Sequence, residues 1–190
     1  KLKEGPIPLH KCINYTDQAL RKFFARASQM PWFKNTLFVF TADHAFFPHY
    51  DEYNNNADKF SIPLFFYTPN GSLKGRNDSI VAQQIDIMPT VLNYLGYTKP
   101  YVAFGNDLFS ATKKDAFAIN YINNNYQFFM GDYVLLYDGV KCNGLFNYKT
   151  DRALKYSIDD KKLKNRLLRK AQAFIQQYNN RMVENKLTVK

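Results

Sequence analysis

Cysteine is almost missing from this chain: Cys12 and Cys142 are the only two in 190 residues. Two thiols make neither a disulfide framework nor a zinc-ligand motif, and the sequence leaves their pairing open. No apolar stretch is long enough to cross a bilayer, and the first residue, Lys1, begins no signal peptide. No internal repeat is present. Acidic residues are the minority charge, 16 against 26 Lys and Arg, for a formal net charge of +10. Hydrophobic residues make up 46% and aromatics 17%, enough apolar mass to bury a core, which excludes a disordered tail.

The basicity belongs to the end of the chain. Residues 1–140 carry 13 Lys or Arg against 12 Asp or Glu, whereas residues 141–190 carry 13 against 4. From Ser157 the pattern Ser-Ile-Asp-Asp resembles a helix-capping arrangement, and Leu163, Leu167, Leu168, Ala171, Phe174, Ile175 and Tyr178 recur at helical spacing. Lys161, Lys162, Lys164, Arg166, Arg169 and Lys170 crowd the first turns. Two readings stand: a packing helix with a solvated outer face, or a surface for anionic lipid headgroups or a polyanionic product. The expected division is residues 1–150 as one body and 151–190 as a basic amphipathic helix on or beside it.

Elsewhere the patterns alternate helix with strand. Leu20, Phe23, Phe24 and Ala27 predict a core-facing helix over 17–30, capped at Thr16 or Asp17 and stopped at Pro31. The run 36–42 is β-branched and aromatic and too short for a helix, so it predicts an interior strand of an α/β sheet. Residues 62–67 predict a second strand, ending in the turn Thr68-Pro69-Asn70-Gly71. Residues 88–95 predict a short helix with Pro89 near its start, Gly96 past its end and Asp86 as its cap rather than a ligand. Residues 117–122, 126–130 and 133–137 predict a small antiparallel meander at the edge of the main sheet, with Asp138-Gly139 as a further hairpin turn.

Asp43 and His44 close the run 36–42. The carboxyl end of a strand is where α/β folds keep their ligand crevice, and an adjacent carboxylate and imidazole suit a divalent metal. The plain alternative is a strand-end Asp capping a turn beside a hydrogen-bonded His. The following loop, 45–59, mixes polar and aromatic residues as binding loops do. In it His49 is a candidate substrate contact or an exposed loop His, and Asp51 and Glu52 read as solvated charges. Thr41, two residues before Asp43, reads as hydrogen-bonded within the sheet and a poor nucleophile.

Read in order, Tyr15-Thr16-Asp17, Pro31-Trp32-Phe33, Phe40-Thr41-Ala42-Asp43-His44, Ile62-Pro63-Leu64, Gln84-Ile85-Asp86-Ile87-Met88-Pro89-Thr90 and Phe104-Gly105-Asn106-Asp107-Leu108-Phe109-Ser110 resemble the second half of a sulfatase-type domain. The resemblance covers residues 13–148 and is closest to the lipoteichoic acid synthase and phosphoglycerol transferase branch of the alkaline phosphatase superfamily. A phosphoethanolamine transferase would carry Gly-Glu after the His, where this chain has Ala45-Phe46.

The resemblance implies an α/β fold: the C-terminal portion of an alkaline-phosphatase-like mixed sheet flanked by helices, with a small meander and a C-terminal helix. It implies Asp43 and His44 as ligands of a divalent metal, manganese first, magnesium or zinc otherwise. It places the Thr nucleophile, a Glu ligand and a substrate-binding His upstream of Lys1, so no catalytic nucleophile is expected within this chain, which alone should be inactive. The implied partners are the rest of the same domain and an anionic lipid or phosphodiester substrate, not nucleic acid. The implied location is the extracytoplasmic face of a bacterial cell membrane, through N-terminal helices this chain lacks. A sulfatase or phosphodiesterase hydrolase, and a non-catalytic module binding anionic lipid or glycan, are the competing readings.

Overall fold

The computed structural model describes residues 5–189, with the side chain of Glu52 left out. The chain divides into two compact units, 1–40 with 65–75, and 41–64 with 76–190.

The first unit is built around aromatic rings. Helix α1 (Leu9–Ala27) begins eight residues before the predicted start, with Pro8 at its N-cap position. Thr16 and Asp17, the predicted caps, lie inside it: the Thr16 hydroxyl donates to the Cys12 carbonyl, and Asp17 pairs with Arg21 one turn on. Such bonds also satisfy these side chains within a helix, so capping residues alone did not mark its start. Phe24 centres the packing, with ring centroids 5.1 Å from Phe38, 5.9 Å from Phe40 and 5.9 Å from Tyr67. Each such pair adds about 0.5–1.5 kcal/mol to the area it buries. Of the predicted core stripe, Ala27 is buried, but Leu20 and Phe23 remain exposed.

Strands β1 (Phe38–Thr41) and β2 (Leu64–Tyr67) pair with each other, and Phe40 stacks on Phe65 at 4.6 Å. Among the described residues β1 has no second neighbour, so its phenylalanines are half-buried where an interior strand was expected. Beyond β2, Gly71 closes the predicted turn onto the Thr68 carbonyl with φ 72°.

The second unit holds the larger core. Strands β3 (Phe117–Ile122), β4 (Asn125–Met130), β5 (Tyr133–Tyr137) and β6 (Cys142–Asn147) form an antiparallel meander in chain order. Among the described residues this four-stranded sheet is larger than the predicted meander and shares no strand pairing with β1 or β2, where an edge position on one main sheet was expected. Asn123 and Asn124, both with positive φ, make the first hairpin, a conformation asparagine tolerates. Asp138 binds the amides of Val140 and Lys141 to make the last, which holds its carboxyl below the usual range.

Side-chain alternation gives the sheet two apolar faces. Phe128, Met130, Leu135 and Leu145 face helix α3 (Lys161–Val183), which inserts Leu167 and Ala171, both fully buried. Phe129, Val134 and Phe146 face the other way, under Ala57, Val81 and Leu154. Helix α3 starts where Asp160 accepts from the Leu163 amide, and its lysines and arginines point mostly to solvent. Residues 151–190 thus lie in the same compact unit as the meander. Among the described residues no helix is long and apolar enough to cross a membrane.

Candidate metal centre

Asp43 and His44 lie just beyond the carboxyl end of β1, on an exposed bend. The Asp43 Oδ1 accepts from the His44 amide at 2.9 Å, which turns its Oδ2 outward. The His44 Nδ1 is 2.9 Å from the Ala45 carbonyl. A carbonyl only accepts, so Nδ1 carries a proton, and in the neutral ring Nε2 is the nitrogen that presents a lone pair. Asp43 Oδ2 and His44 Nε2 face each other at 3.6 Å. Ligands about 2.0–2.2 Å from a divalent ion lie about 3.0–3.5 Å apart, so the pair fits adjacent positions on one cation after a small side-chain rotation. The donors are 89% and 76% exposed, and no third His, Cys, Asp or Glu joins them among the described residues.

The backbone of this dipeptide is held from another part of the sequence. Gln84 donates both amide protons, to the Ala42 carbonyl at 2.8 Å and the Asp43 carbonyl at 3.0 Å. Gln84 opens a short 3-10 turn, Gln84–Asp86, that runs into helix α2 (Ile87–Tyr94). Asp86 is fully buried and accepts from the amides of Gln83 at 2.8 Å and Asn106 at 2.7 Å. Burial raises its carboxyl above the ordinary value, and those two amides draw it part of the way back. It stands at the N-cap position of α2, as predicted, while its side chain serves the preceding 3-10 turn and makes no capping bond to α2. Thr90 adds a bond from the Leu108 amide, and Gly105 lies so close that a Cβ would sit 2.2 Å from the Ile85 carbonyl oxygen. A side chain at 105 would push the turn, and Gln84 with it, out of place.

A cleft of about 710 Å³ opens beside the pair. Its walls include Asp43 and His44, Asp58 to Ile62, Val81 to Ile85, the start of β3, and Phe129, Tyr148 and Lys149. Asp58 is engaged by Arg152 at 3.1 Å. His49 does not line this cleft; its exposed ring meets Tyr50 edge-on at 5.1 Å. Asp51 is exposed, as expected of a solvated charge, while the side chain of Glu52 lies outside the described part. Thr41 is exposed and donates to the adjacent Ala42 carbonyl at 3.3 Å, not into the sheet. Cys12 and Cys142 are both free thiols. Sequence reasoning assigned no role to Gln84, Tyr148 or Lys149, because each acts at a distance that spacing along the chain does not show.

The sulfatase family model matches residues 10–97, just under half of the chain. The lipoteichoic acid synthase-like protein YvgJ of Bacillus subtilis is 28% identical over 134 residues, 60% of this chain and 21% of that protein. The multifunctional alkaline phosphatase superfamily protein PehA of Trinickia caryophylli is 30% identical over 101 residues, 50% of this chain and 20% of its own length. This chain therefore spans about a fifth of these relatives. Among solved structures, an alkaline phosphatase superfamily protein from Vibrio parahaemolyticus matches all of this chain over 46% of its own, with a TM-score of 0.75 and 22% identity. BT4656, solved with its substrate D-glucosamine-2-N,6-O-disulfate, matches 90% of this chain over 40% of its own, with a TM-score of 0.64 and 17% identity. These structural likenesses establish the fold.

Proposed function

We propose that this chain supplies one side of the metal centre of a phospho-group transferase in the phosphoglycerol transferase and lipoteichoic acid synthase branch. The observation that carries the reading is the pair of facing donor atoms, Asp43 Oδ2 and His44 Nε2, 3.6 Å apart at the end of β1. The likeness to a lipoteichoic acid synthase-like relative supports the branch. The metal we propose is manganese, with magnesium or zinc also compatible with one carboxylate and one imidazole.

A bound divalent ion would supply a lowered pKa for a hydroxyl nucleophile and positive charge for the phosphoryl oxygens. Asp43 contributes the anionic ligand. His44 contributes a neutral nitrogen, its tautomer set by the Ala45 carbonyl. Gln84 fixes the dipeptide at the strand end, and the cleft walls orient the rest of the substrate. The remaining ligands and the Thr nucleophile are proposed to come from the rest of the domain, with two protein donors too few to hold the ion tightly. His49 is left out of this constellation because it stands away from the cleft. The proposed setting is the extracytoplasmic face of a bacterial membrane, where an anionic lipid or phosphodiester is the substrate.

The test is transfer or hydrolysis of a lipid or chromogenic phosphodiester by the full-length protein with manganese varied. Asp43→Ala and His44→Ala should each lower the rate on the order of a thousandfold or more, with metal affinity falling alongside. Release of the group to water instead of an acceptor hydroxyl would assign a hydrolase. Near-normal turnover by a folded Asp43→Ala protein at limiting metal would make the pair structural and overturn the proposal.

A further inference from the structure

Helix α3 carries seven Lys or Arg and no Asp or Glu between Lys161 and Val183. Lys162, Arg166 and Lys170 follow one another at four-residue spacing, so they climb about 6 Å at a time along a single ridge that Ala173, Gln177 and Arg181 continue. Like charges at that spacing repel, and no acid on the helix relieves them. Among the described residues none of the ridge's four cations forms an ion pair. Lys170 donates to the Lys114 carbonyl at 2.9 Å and Arg181 to the Lys186 carbonyl at 3.1 Å, bonds that leave both charges uncompensated. A merely solvated helix face mixes both signs, and this ridge does not.

The C-terminal half of the ridge is one wall of a groove of about 600 Å³. Lys170, Ala173, Phe174, Gln177 and Arg181 line that wall, and the 101–106 segment with the start of β3 lines the other. Its floor is aromatic: Phe174 meets Phe117 at 5.2 Å and Phe104 at 5.9 Å. Asp115, the one carboxylate among the described lining residues, accepts from the Thr112 hydroxyl at 2.5 Å. The groove lies across the sheet from the metal pair. Phe128 lines it, whereas Phe129, on the opposite face, lines the cleft beside Asp43 and His44.

We infer that this groove and its ridge bind an extended polyanion, a chain whose tetrahedral oxyanions recur at intervals that the cations of α3 meet in turn. The uncharged units of the chain lie on the aromatic floor between Arg181 and Lys170, and its charges run on to Arg166 and Lys162. A groove beside one helix admits a strand and not a plane, and a bilayer laid on α3 would stand across the sheet from the cleft, so the occupant is a chain and not a membrane. Polyphosphodiesters and sulfated glycans both offer such recurring oxyanions. The groove and the cleft share no lining residue among those described, so the inference does not depend on the metal reading.

The experiment uses the full-length protein and four labelled probes: a glycerol phosphate chain of about ten units, the single unit, a sulfated oligosaccharide of equal charge number, and vesicles containing phosphatidylglycerol. The long chain should bind about a hundredfold more tightly than the single unit, with affinity falling steeply as salt rises. Lys162→Gln combined with Arg166→Gln, two exposed positions, should lower chain affinity about tenfold and flatten its salt dependence, and Arg166→Lys alone should retain it. Gln177→Glu, which sets a carboxylate in the groove, should weaken the chain by a similar factor. All these variants should melt with the wild type and turn over a small chromogenic phosphodiester at its rate. Asp43→Ala should bind the chain normally whatever happens to its turnover, which keeps failure of the metal reading separate from failure of this one. Whichever of the phosphodiester and the sulfated glycan binds more tightly names the source, and the site stands with either. Vesicles held through the same residues as tightly as the chain, equal affinity for one unit and ten, or chain binding indifferent to both the double variant and Gln177→Glu would overturn the inference.

Discussion

At the scale of single residues, the proposed metal-binding pair is held by Gln84, which opens the Gln84–Thr90 motif but has no role assigned to it there. Gln84 satisfies the carbonyls of Ala42 and Asp43 with its two amide protons, so the backbone that aims the Asp43 and His44 side chains is fixed from outside their own segment. Gln84→Ala removes both bonds from an exposed position, which should leave stability within about 1 kcal/mol but lower kcat about tenfold. Gln84→Glu should do worse than Ala, because a carboxylate repels those carbonyls. The readout is kcat at saturating manganese beside a thermal melt, and a melting point that falls with kcat would show Gln84 to be structural only. The place of the Asp43-His44 dipeptide at a strand end was legible in sequence because the run before it is a local pattern. Gln84 was not, because a side-chain bond across 41 and 42 residues leaves no trace in spacing.

At the scale of elements, hydrophobic period located most segments and turn chemistry bounded them. The 117–122 and 133–137 strands appear as read, since alternating aromatic and aliphatic residues between Asn123-Asn124, Gly131 and Asp138-Gly139 leave little choice. Strand β6 went unread because Asn143 and Gly144 dilute its pattern, although the preceding turn implied a partner. Helix α1 was read short because Thr16 and Asp17 offered an N-cap inside it, and only Ala27 among its residues is buried. Helix α3 was legible through its leucines, and its packing role is the one the structure shows. Its hold on the sheet rests on Leu167, fully buried against Phe128, Leu135 and Leu145. Leu167→Ala should cost about 2–5 kcal/mol by urea denaturation, the range for cavities in close-packed cores. A loss under about 1 kcal/mol would mean that α3 is peripheral to the fold.

At the scale of the whole molecule, the number of protein donors limits what this chain can do with metal. With one carboxylate and one imidazole, both largely exposed, an ion would keep most of its water. Calorimetry of this chain with manganese should give weak or undetectable binding, and Asp43→Ala should abolish whatever heat remains. A tight one-to-one isotherm would mean that a third ligand exists within these residues. The overall α/β class was legible from alternating patterns and from the family resemblance. The division into two compact units was not, because it cuts through β1 and β2 at positions no composition shift marks. One consequence of the meander's two covered faces concerns time and not energy. Leu135 and Leu145, wholly enclosed, can lose their amide protons to solvent only when the second unit opens as a body. The amides of 45–50, on an exposed stretch without regular structure, exchange by motions that leave that body closed. The loop beside Asp43 and His44 can therefore rearrange many times within the lifetime of a single folded sheet.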